Sequence, residues 1–364
     1  MIVSEVAEIL ESLAPLKTAE DFDNVGLLVG DLNQEVQGIL ITLDTLEEVV
    51  EEAIAKKCNL IISFHPIIFS GLKTLTGKTY VERVVAKAIK NDIAIYALHT
   101  ALDNSPDGVN AKLCEVLGLI EPRILVPKAS GLRKLVTYLP NDKAAELLQA
   151  LYEAGAGHIG NYSHCSFQLQ GTGSFKPLDK AKPTIGTKGK LHTEEETQIQ
   201  VVFPAHKKGA VIAALNHHHP YEEIAYEIFE MENTNRYLGM GMIGEFKEAL
   251  SEKEFMDLVK TRLNTGGIRH SAFLGNPVKR VAVLGGSGAF AIASAKAKGA
   301  DAYITADIKY HQFYEAEGQI LLLDVGHYES EQFTKAVIHD HLQKKIANFA
   351  LLISESITNP VYYY

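Results

Sequence analysis

Cysteine is scarce in this chain, with 3 among 364 residues. Cys58, Cys114 and Cys165 are far apart in sequence, odd in number and outside any CxxC pair. A secreted disulfide framework would need an even set of cysteines, so this pattern is typical of reduced thiols. We therefore expect a cytoplasmic protein whose cysteines are buried and unpaired.

Long apolar runs and basic clusters are missing as well. No hydrophobic run reaches about 18 residues, so no membrane-spanning helix is predicted. The N-terminal residues include Glu5, Glu8 and Glu11, whereas a signal peptide begins with basic residues. The net charge of −10 argues against broad binding to nucleic acid or to an anionic membrane.

A repeat links the two ends of the chain. Residues 38–65 and 280–307 each read as a strand, a helix and a second strand, and they align without a gap. The alignment matches His65 with Asp307, so each passage ends in a polar residue just past a buried strand. We predict an α/β fold with a pseudo-symmetric core made of two such halves.

Capping residues predict three helix starts: Thr45 with Glu48, Ser251 with Glu254, and Ser287. The two pairs have the spacing of a capping box. Ser287 would open a helix that runs to about Lys298.

The next strand of each half ends in a histidine that is followed, four residues later, by a carboxylate. Residues 93–98 lead to His99 and Asp103, and residues 320–326 lead to His327 and Glu331. If the chain turns helical there, this spacing puts both side chains on one face. Ligands of open α/β sheets bind at the carboxyl ends of the strands. A single histidine in such a place is usually unremarkable, but a matched group of His and carboxylate residues favours Zn, Mn or Fe.

The segment between the halves has a different pattern. From 127 to 245 the predicted elements follow the order βαββαβ, which is the ferredoxin-like arrangement. Because the outer repeat resumes afterwards, we interpret this segment as an inserted domain. The length of 364 residues fits about two domains, here a core in two pieces, 1–126 and 246–364, and the insert.

Two further motifs are ambiguous. His217, His218 and His219 are adjacent, and consecutive helical residues point in different directions, so we interpret them as a helix C-terminus rather than a metal site. The stretch GGSGAF at 285–290 follows a strand and could hold an anion on its amides. Tight packing of a strand on a helix explains these glycines equally well.

The whole chain resembles the family known as GTP cyclohydrolase 1 type 2 homologues, in the form with a PII-like or CutA-like inserted domain. The stretches that carry the resemblance include DFDNVGLLVGD (21–31), FHPIIFSGLK (64–73), ALHTALDNSPDGVN (97–110), GAGHIGNYSHCSF (155–167), HPYEEIAYEIF (219–229) and DVGHYESE (324–331). The resemblance implies toroidal homohexamers whose sites face an internal cavity.

The resemblance also implies a centre for two divalent ions between the halves of the core. Carried over by motif, His65 and Asp103 would bind one ion, His327 would bind the other, and Glu331 could bridge them. His99 is expected to line the cleft and, like Glu331, to be a candidate for proton transfer.

Three more residues are expected beside this centre: Phe64, Asp307 and His311. The family usually has His-His-Pro where this chain has Phe64-His65-Pro66, so one ligand of the second ion is missing. We therefore expect one ion to bind firmly and a second weakly, if at all.

The sequence leaves the function open between different classes. The first is metal-assisted hydrolysis of a nucleotide or a related small molecule, with GTP ring opening suggested by the family's name and phosphoester hydrolysis as a variant. The second is a non-catalytic oligomeric scaffold or sensor that binds metal and carries a PII-like regulatory domain.

Overall fold

The computed structural model describes residues 1–129, 131–346 and 349–364. Its first part contains α1 (Val3–Leu13), β1 (Gly26–Val29), β2 (Ile39–Thr42), α2 (Glu47–Ala55), β3 (Leu60–Ser63), α3 (Tyr80–Lys90), β4 (Ala94–Ala97), α4 (His99–Asp103), α5 (Val109–Leu117) and β5 (Ile120–Lys128). Then follow β6 (Leu132–Pro140), α6 (Ala144–Glu153), β7 (Ser166–Phe175), β8 (His192–Pro204), α7 (Lys208–His218) and β9 (Tyr226–Glu230). The last part contains β10 (Asn235–Leu250), α8 (Glu252–Arg262), β11 (Arg269–His270), β12 (Val278–Ser287), α9 (Ile292–Ala297), β13 (Ala302–Ala306), β14 (Leu321–Asp324), α10 (His327–Glu331), α11 (Thr334–Lys345) and β15 (Leu351–Ile353).

These elements form two compact units. One joins Met1–Pro127 to Arg236–Tyr364, and the other is Lys128–Asn235. Residues 236–245, which the sequence pattern assigned to the insert, lie in β10 instead. They belong to the first unit because β10 pairs with β12, with Met242 opposite Val283.

The first unit contains two sheets of matching design. Their strand orders are β1-β4-β3-β2-β15 and β11-β14-β13-β12-β10-β5. In each sheet three successive strands are parallel and an antiparallel strand closes the edge, β1 beside β4 and β11 beside β14. The fold is therefore the pseudo-symmetric α/β core that the repeat predicts.

The registers of the two sheets match residue by residue. Ile39 pairs with Leu60 in the first sheet, and Val281 pairs with Ala302 in the second, as the alignment of the halves requires. Each parallel sheet is covered on both faces, so the β2, β3 and β4 strands are buried at every position. This burial explains why the core strands read as continuous apolar runs and why polar residues gather only at their ends.

The insert forms a four-stranded antiparallel sheet in the order β7-β8-β6-β9, with helices α6 and α7 in the connections. This is the predicted ferredoxin-like order. The three adjacent histidines do end a helix: α7 stops at His218, and His219 Nε2 lies 3.0 Å from the carbonyl oxygen of Tyr138.

One of the three predicted helix starts is confirmed and two are wrong. Ser251 accepts from the amide of Glu254, whose carboxylate accepts from the Ser251 amide, and α8 follows. Helix α2 instead begins after the apolar Leu46. Ser287 remains in β12, because the strand extends beyond the apolar run and a 3₁₀ turn precedes α9.

All three cysteines are free thiols; Cys58 and Cys114 are buried, whereas Cys165 is half-buried. Within the described residues, no helix combines the length and the apolar character needed to cross a membrane.

Candidate metal centre

Three side chains converge at the carboxyl ends of the core strands. His65 lies two residues beyond β3, and His327 and Glu331 lie on α10, which follows β14. Gly326, at a φ of 97°, makes the turn that starts α10, a conformation that favours glycine. The strand ends therefore bring a residue of the first half to two residues of the second.

The donor atoms of these side chains form a tight group, which we call the triad. Glu331 Oε2 lies 3.2 Å from His65 Nε2 and 3.1 Å from His327 Nε2. The two Nε2 atoms are 3.4 Å apart. His65, His327 and Glu331 thus form a group that could hold one metal ion, with all ligand atoms within 4.8 Å of one another.

A carboxylate holds the opposite nitrogen of each triad histidine. Asp44 Oδ1 is 2.8 Å from His65 Nδ1, and Asp307 Oδ2 is 2.7 Å from His327 Nδ1. Since a carboxylate only accepts, each Nδ1 carries a proton, and the Nε2 that faces the triad would present a lone pair to a metal ion once its own proton is displaced. The same carboxylate–imidazole pairing orients histidine ligands in metalloproteins.

Glu331 is buried, yet it is ionised. Burial raises its pKa, but the two imidazoles outweigh that effect and lower the pKa to about 2. No described residue donates to its Oε2 with hydrogen-bond geometry, although that atom is fully enclosed. An enclosed carboxylate oxygen without a donor, facing two imidazole nitrogens, fits a cation ligand.

The pKa values of the two triad histidines are raised. Burial lowers the pKa of His65, but the carboxylates of Asp44 and Glu331 raise it to about 9. The pKa of His327 is lowered by burial and raised more strongly by Asp307 and Glu331, to about 11. The site therefore concentrates negative charge that protons or a metal cation would neutralise.

The loop at Gly285–Gly288 makes room for Glu331. A Cβ on Gly286 would lie 2.2 Å from Glu331 Oε1, and φ at this glycine is 66°. The amides of Gly285 and Gly286 are already bonded, to Asn110 Oδ1 at 3.0 Å and Ser330 Oγ at 2.9 Å. These two amides are therefore not free for an anion, and close packing accounts for the glycines.

Asp103, expected as a ligand, is half-buried and lies outside the triad. Its Oδ1 has no hydrogen-bond partner among the described residues. Burial, and then the charge of Glu331, raise the pKa of Asp103 well above its usual value. His65 acts in the opposite direction, so Asp103 is electrostatically coupled to the triad.

His99, expected in the cleft, lies beside the triad with its own carboxylate. Its ring centre is 5.4 Å from that of His65, and its Nδ1 is 2.8 Å from Asp23 Oδ1. Burial raises the pKa of Asp23, but hydrogen bonds from His99 and Thr100 lower it below the usual value. Asp23 therefore fixes the His99 ring with Nδ1 protonated and Nε2 as an acceptor.

Aromatic rings border His99. Phe64 is completely buried, with its ring centre 4.9 Å from His65 and 5.6 Å from His99. Phe69 is 6.2 Å from His99 and 6.4 Å from Phe22, and both of these phenylalanines are largely exposed. Phe64 therefore contributes an apolar wall and no ligand atom, as its chemistry requires.

The remaining expected residues take different places. Asp307 is the partner of His327 described above. His311 is exposed on a 3₁₀ helix and packs its ring against Tyr310 and Tyr314, at 5.2 and 6.2 Å. No described contact links His311 to the triad.

Known proteins share this architecture along the whole chain. The model of the Duf34/NIF3 (NGG1p interacting factor 3) family matches residues 1–360. The chain belongs to this family. It is 41% identical over 361 residues to the GTP cyclohydrolase 1 type 2 homolog of Bacillus subtilis, covering 98% of this chain and 97% of that protein. Its counterpart in Staphylococcus aureus strain COL is 34% identical, with 100% of both chains covered.

A solved structure agrees with the fold. The Bacillus cereus protein related to NIF3 superimposes with a TM-score of 0.88 at 39% identity, covering 100% of this chain and 99% of that one. The family membership expected from the motifs is thus confirmed.

Sequence reasoning missed Asp44 and Asp23, which hold the imidazoles of His65 and His99. Asp44 did carry a signal, because it follows β2 just as the other site residues follow their strands. Asp23 lies within the stretch DFDNVGLLVGD, which supported the family resemblance but received no role.

Proposed function

We propose that this chain binds a divalent ion (Zn, Mn or Fe) at the triad and is a metal-dependent hydrolase of a nucleotide or related small molecule. The observation that carries the proposal is the convergence of two imidazole nitrogens on the donor-free Oε2 of Glu331. Nitrogen and carboxylate donors suit these metals better than Ca or Mg. When bound, the ion would supply Lewis-acid activation of water and of the substrate.

His99 is the residue that we assign to proton transfer. Its Nε2 is left to accept a proton because Asp23 holds Nδ1, the same logic by which a carboxylate orients a general base. Glu331, whose pKa is about 2, suits the role of ligand better than that of base.

Phe69 and Phe22 support a substrate with a flat ring. The exposed ring of Phe69 lies next to His99, and that of Phe22 lies next to Phe69, so a heterocycle could stack there without disturbing the buried core. The relatives' name, GTP cyclohydrolase 1 type 2 homolog, makes a purine nucleotide the first substrate class to screen.

The test combines metal analysis with turnover. Purified protein should contain a divalent ion, and hydrolysis across a panel of nucleotides and cyclic amides should stop when a chelator is added. His99→Ala should lose turnover and keep the metal. His311→Ala is the matched control, since His311 lies outside the triad, and it should keep both.

Two outcomes would contradict the proposal. Protein that binds no Zn, Mn or Fe would remove the metal site itself. Tight metal with no turnover across the panel would favour the scaffold or sensor, and His99→Ala would then have no phenotype.

A further inference from the structure

The C-terminal residues 354–363, which we call the strap, continue from β15 across the carboxyl ends of the core strands. Strand β15 runs parallel to β2, with Ile353 opposite Ile41, and the amide of Ser354 donates to the Ile41 carbonyl at 2.8 Å. The strap therefore leaves the first sheet at the carboxyl ends of its parallel strands, where His65 and Asp44 also lie.

Glu52 anchors the start of the strap to α2. Its carboxylate accepts from Ser354 Oγ at 2.6 Å, from Ser356 Oγ at 2.7 Å and from the Glu355 amide at 2.9 Å. Burial raises the pKa of Glu52, but Lys56 and these donors lower it to about 2. The anchor is thus an ionised carboxylate that holds several donors of one segment.

Thr358 then reaches the metal centre. It is 6% exposed, and its Oγ1 donates to Asp44 Oδ2 at 2.7 Å. The other oxygen of Asp44 holds His65 Nδ1 at 2.8 Å. Asp44 therefore holds the strap with one oxygen and His65 with the other, so Thr358 restrains the carboxylate that orients His65.

The next residue binds the opposite half. Asn359 Nδ2 donates to Glu329 Oε1 at 3.1 Å, and Glu329 is a buried residue of α10, between His327 and Glu331. Further along, Tyr363 packs so closely on Gly266 that a Cβ there would lie 2.5 Å from the ring. The strap thus ends on the half that supplies the other two triad residues.

We propose that the strap sets the geometry of the triad, with Thr358 and Asn359 as positioning residues. The triad requires His65 of the first half to lie about 3 Å from side chains of the second half. Thr358 binds the first half through Asp44, and Asn359 binds the second half through Glu329. This inference rests on the proposed metal function.

The experiment measures Zn²⁺ affinity by competition with a chelator on the full chain. Thr358→Val keeps the shape of the side chain and removes the donor, and should weaken Zn²⁺ binding by ~10-fold, the lower end of what outer-shell partners contribute. Asn359→Ala should weaken it in the same direction. Thr358→Ser keeps the hydroxyl and should restore the affinity.

Ser356→Ala is the matched control, because it removes a strap hydrogen bond that goes to Glu52 and not to either half of the triad. It should leave Zn²⁺ affinity unchanged even if it lowers the melting temperature. If Thr358→Val and Ser356→Ala lower stability alike and neither changes affinity, the strap is only structural and the inference is wrong. If the unaltered protein binds none of Zn²⁺, Mn²⁺ and Fe²⁺ in the same competition assay, the proposed function is wrong, and this inference with it.

Discussion

Asp103 and Glu331 occupy matching places in the two halves of the core, each four residues after a strand-end histidine, yet their pKa values are shifted in opposite directions. Glu331 faces two imidazoles, and its pKa is lowered to about 2. Asp103 also has an enclosed oxygen without a described donor, but its pKa is raised well above the usual value. The two carboxylates share a position in the fold, whereas the partners of each one decide the direction in which its pKa shifts.

The histidines differ between the halves in the same way. The first half supplies His65 to the triad through the end of β3 and keeps His99, at the end of β4, for a separate pair with Asp23. The second half supplies His327 at the end of β14. In this half the position equivalent to His65 is occupied by Asp307, which is the supporting carboxylate of His327. The same position of the duplicated scaffold thus supplies a candidate ligand in one half and an orienting carboxylate in the other.

The largest expected effect comes from Glu331→Ala. It removes the only carboxylate of the triad, so Zn²⁺ affinity should fall by more than ~100-fold, since outer-shell changes alone cost ~10–100-fold. Asp103→Ala should lower affinity less, because Asp103 lies outside the triad. Metal content after dialysis, with circular dichroism as a control for folding, measures both. Equal losses of Zn²⁺ affinity in the two variants would show that Asp103 binds the ion as Glu331 does.

Phe64→His should change the number of ions. Phe64 packs against His65 and His99 without a donor atom, so the unaltered protein should bind one ion firmly. A histidine there adds a nitrogen ligand and should raise the stoichiometry toward two in titration calorimetry. Two equally tight ions in the unaltered protein would mean that position 64 is not where a second ion needs a ligand.

Asp44→Asn and Asp307→Asn test the supporting carboxylates. Each removes a charge from Nδ1 of a triad histidine, and each should weaken Zn²⁺ binding by ~10-fold or more. The effect at Asp44 should be the larger, because Asp307 is half exposed and Asp44 less so, at 51% and 30%. Chelator competition on both variants gives the ratio, and a larger loss at Asp307 would reverse this ranking.

The repeat made much of the core predictable. Buried parallel strands must be apolar along their length and can place polar groups only at their ends, so His65, His99 and His327 were visible as strand-end residues. The boundary at 245 failed because β10 begins in one unit and continues far into the sheet of the other. The change of unit therefore falls inside one strand, and no break between elements marks it.

The sequence did not predict which side chains bond to or pack on one another in the site. Asp44 follows its strand as His65 does, but only the folded geometry shows that it holds His65 rather than the ion. His311 packs its ring against Tyr310 and Tyr314, contacts that the sequence pattern did not predict. Thr358 contacts Asp44 across 314 residues of sequence, a separation at which no local pattern operates.

The smallest expected effect concerns the metal-free protein, where the opposite shifts of Asp103 and Glu331 should appear as opposite stability changes. A carboxyl whose pKa is higher in the folded than in the unfolded protein stabilises the fold at pH values below its unfolded pKa, which is 3.8 for Asp103. This stabilisation is lost as the pH rises toward the raised folded pKa. Glu331 contributes stability above 4.5 and loses it as pH falls toward about 2. Asp103→Asn should therefore raise the free energy of unfolding near pH 7, by about 1 kcal/mol for each unit of pKa shift removed.

Glu331→Gln should lower the free energy of unfolding at the same pH, because it removes the ionised partner of two imidazoles. The difference from the parent should shrink for Asp103→Asn as pH falls to 3.8 and for Glu331→Gln as pH falls from 4.5 toward 2. Urea unfolding in the presence of a chelator, repeated between these pH values and 7, measures both curves. Changes of the same sign would contradict the opposite pKa shifts of the two carboxyls, because a raised and a lowered folded pKa change the stability near pH 7 in opposite directions.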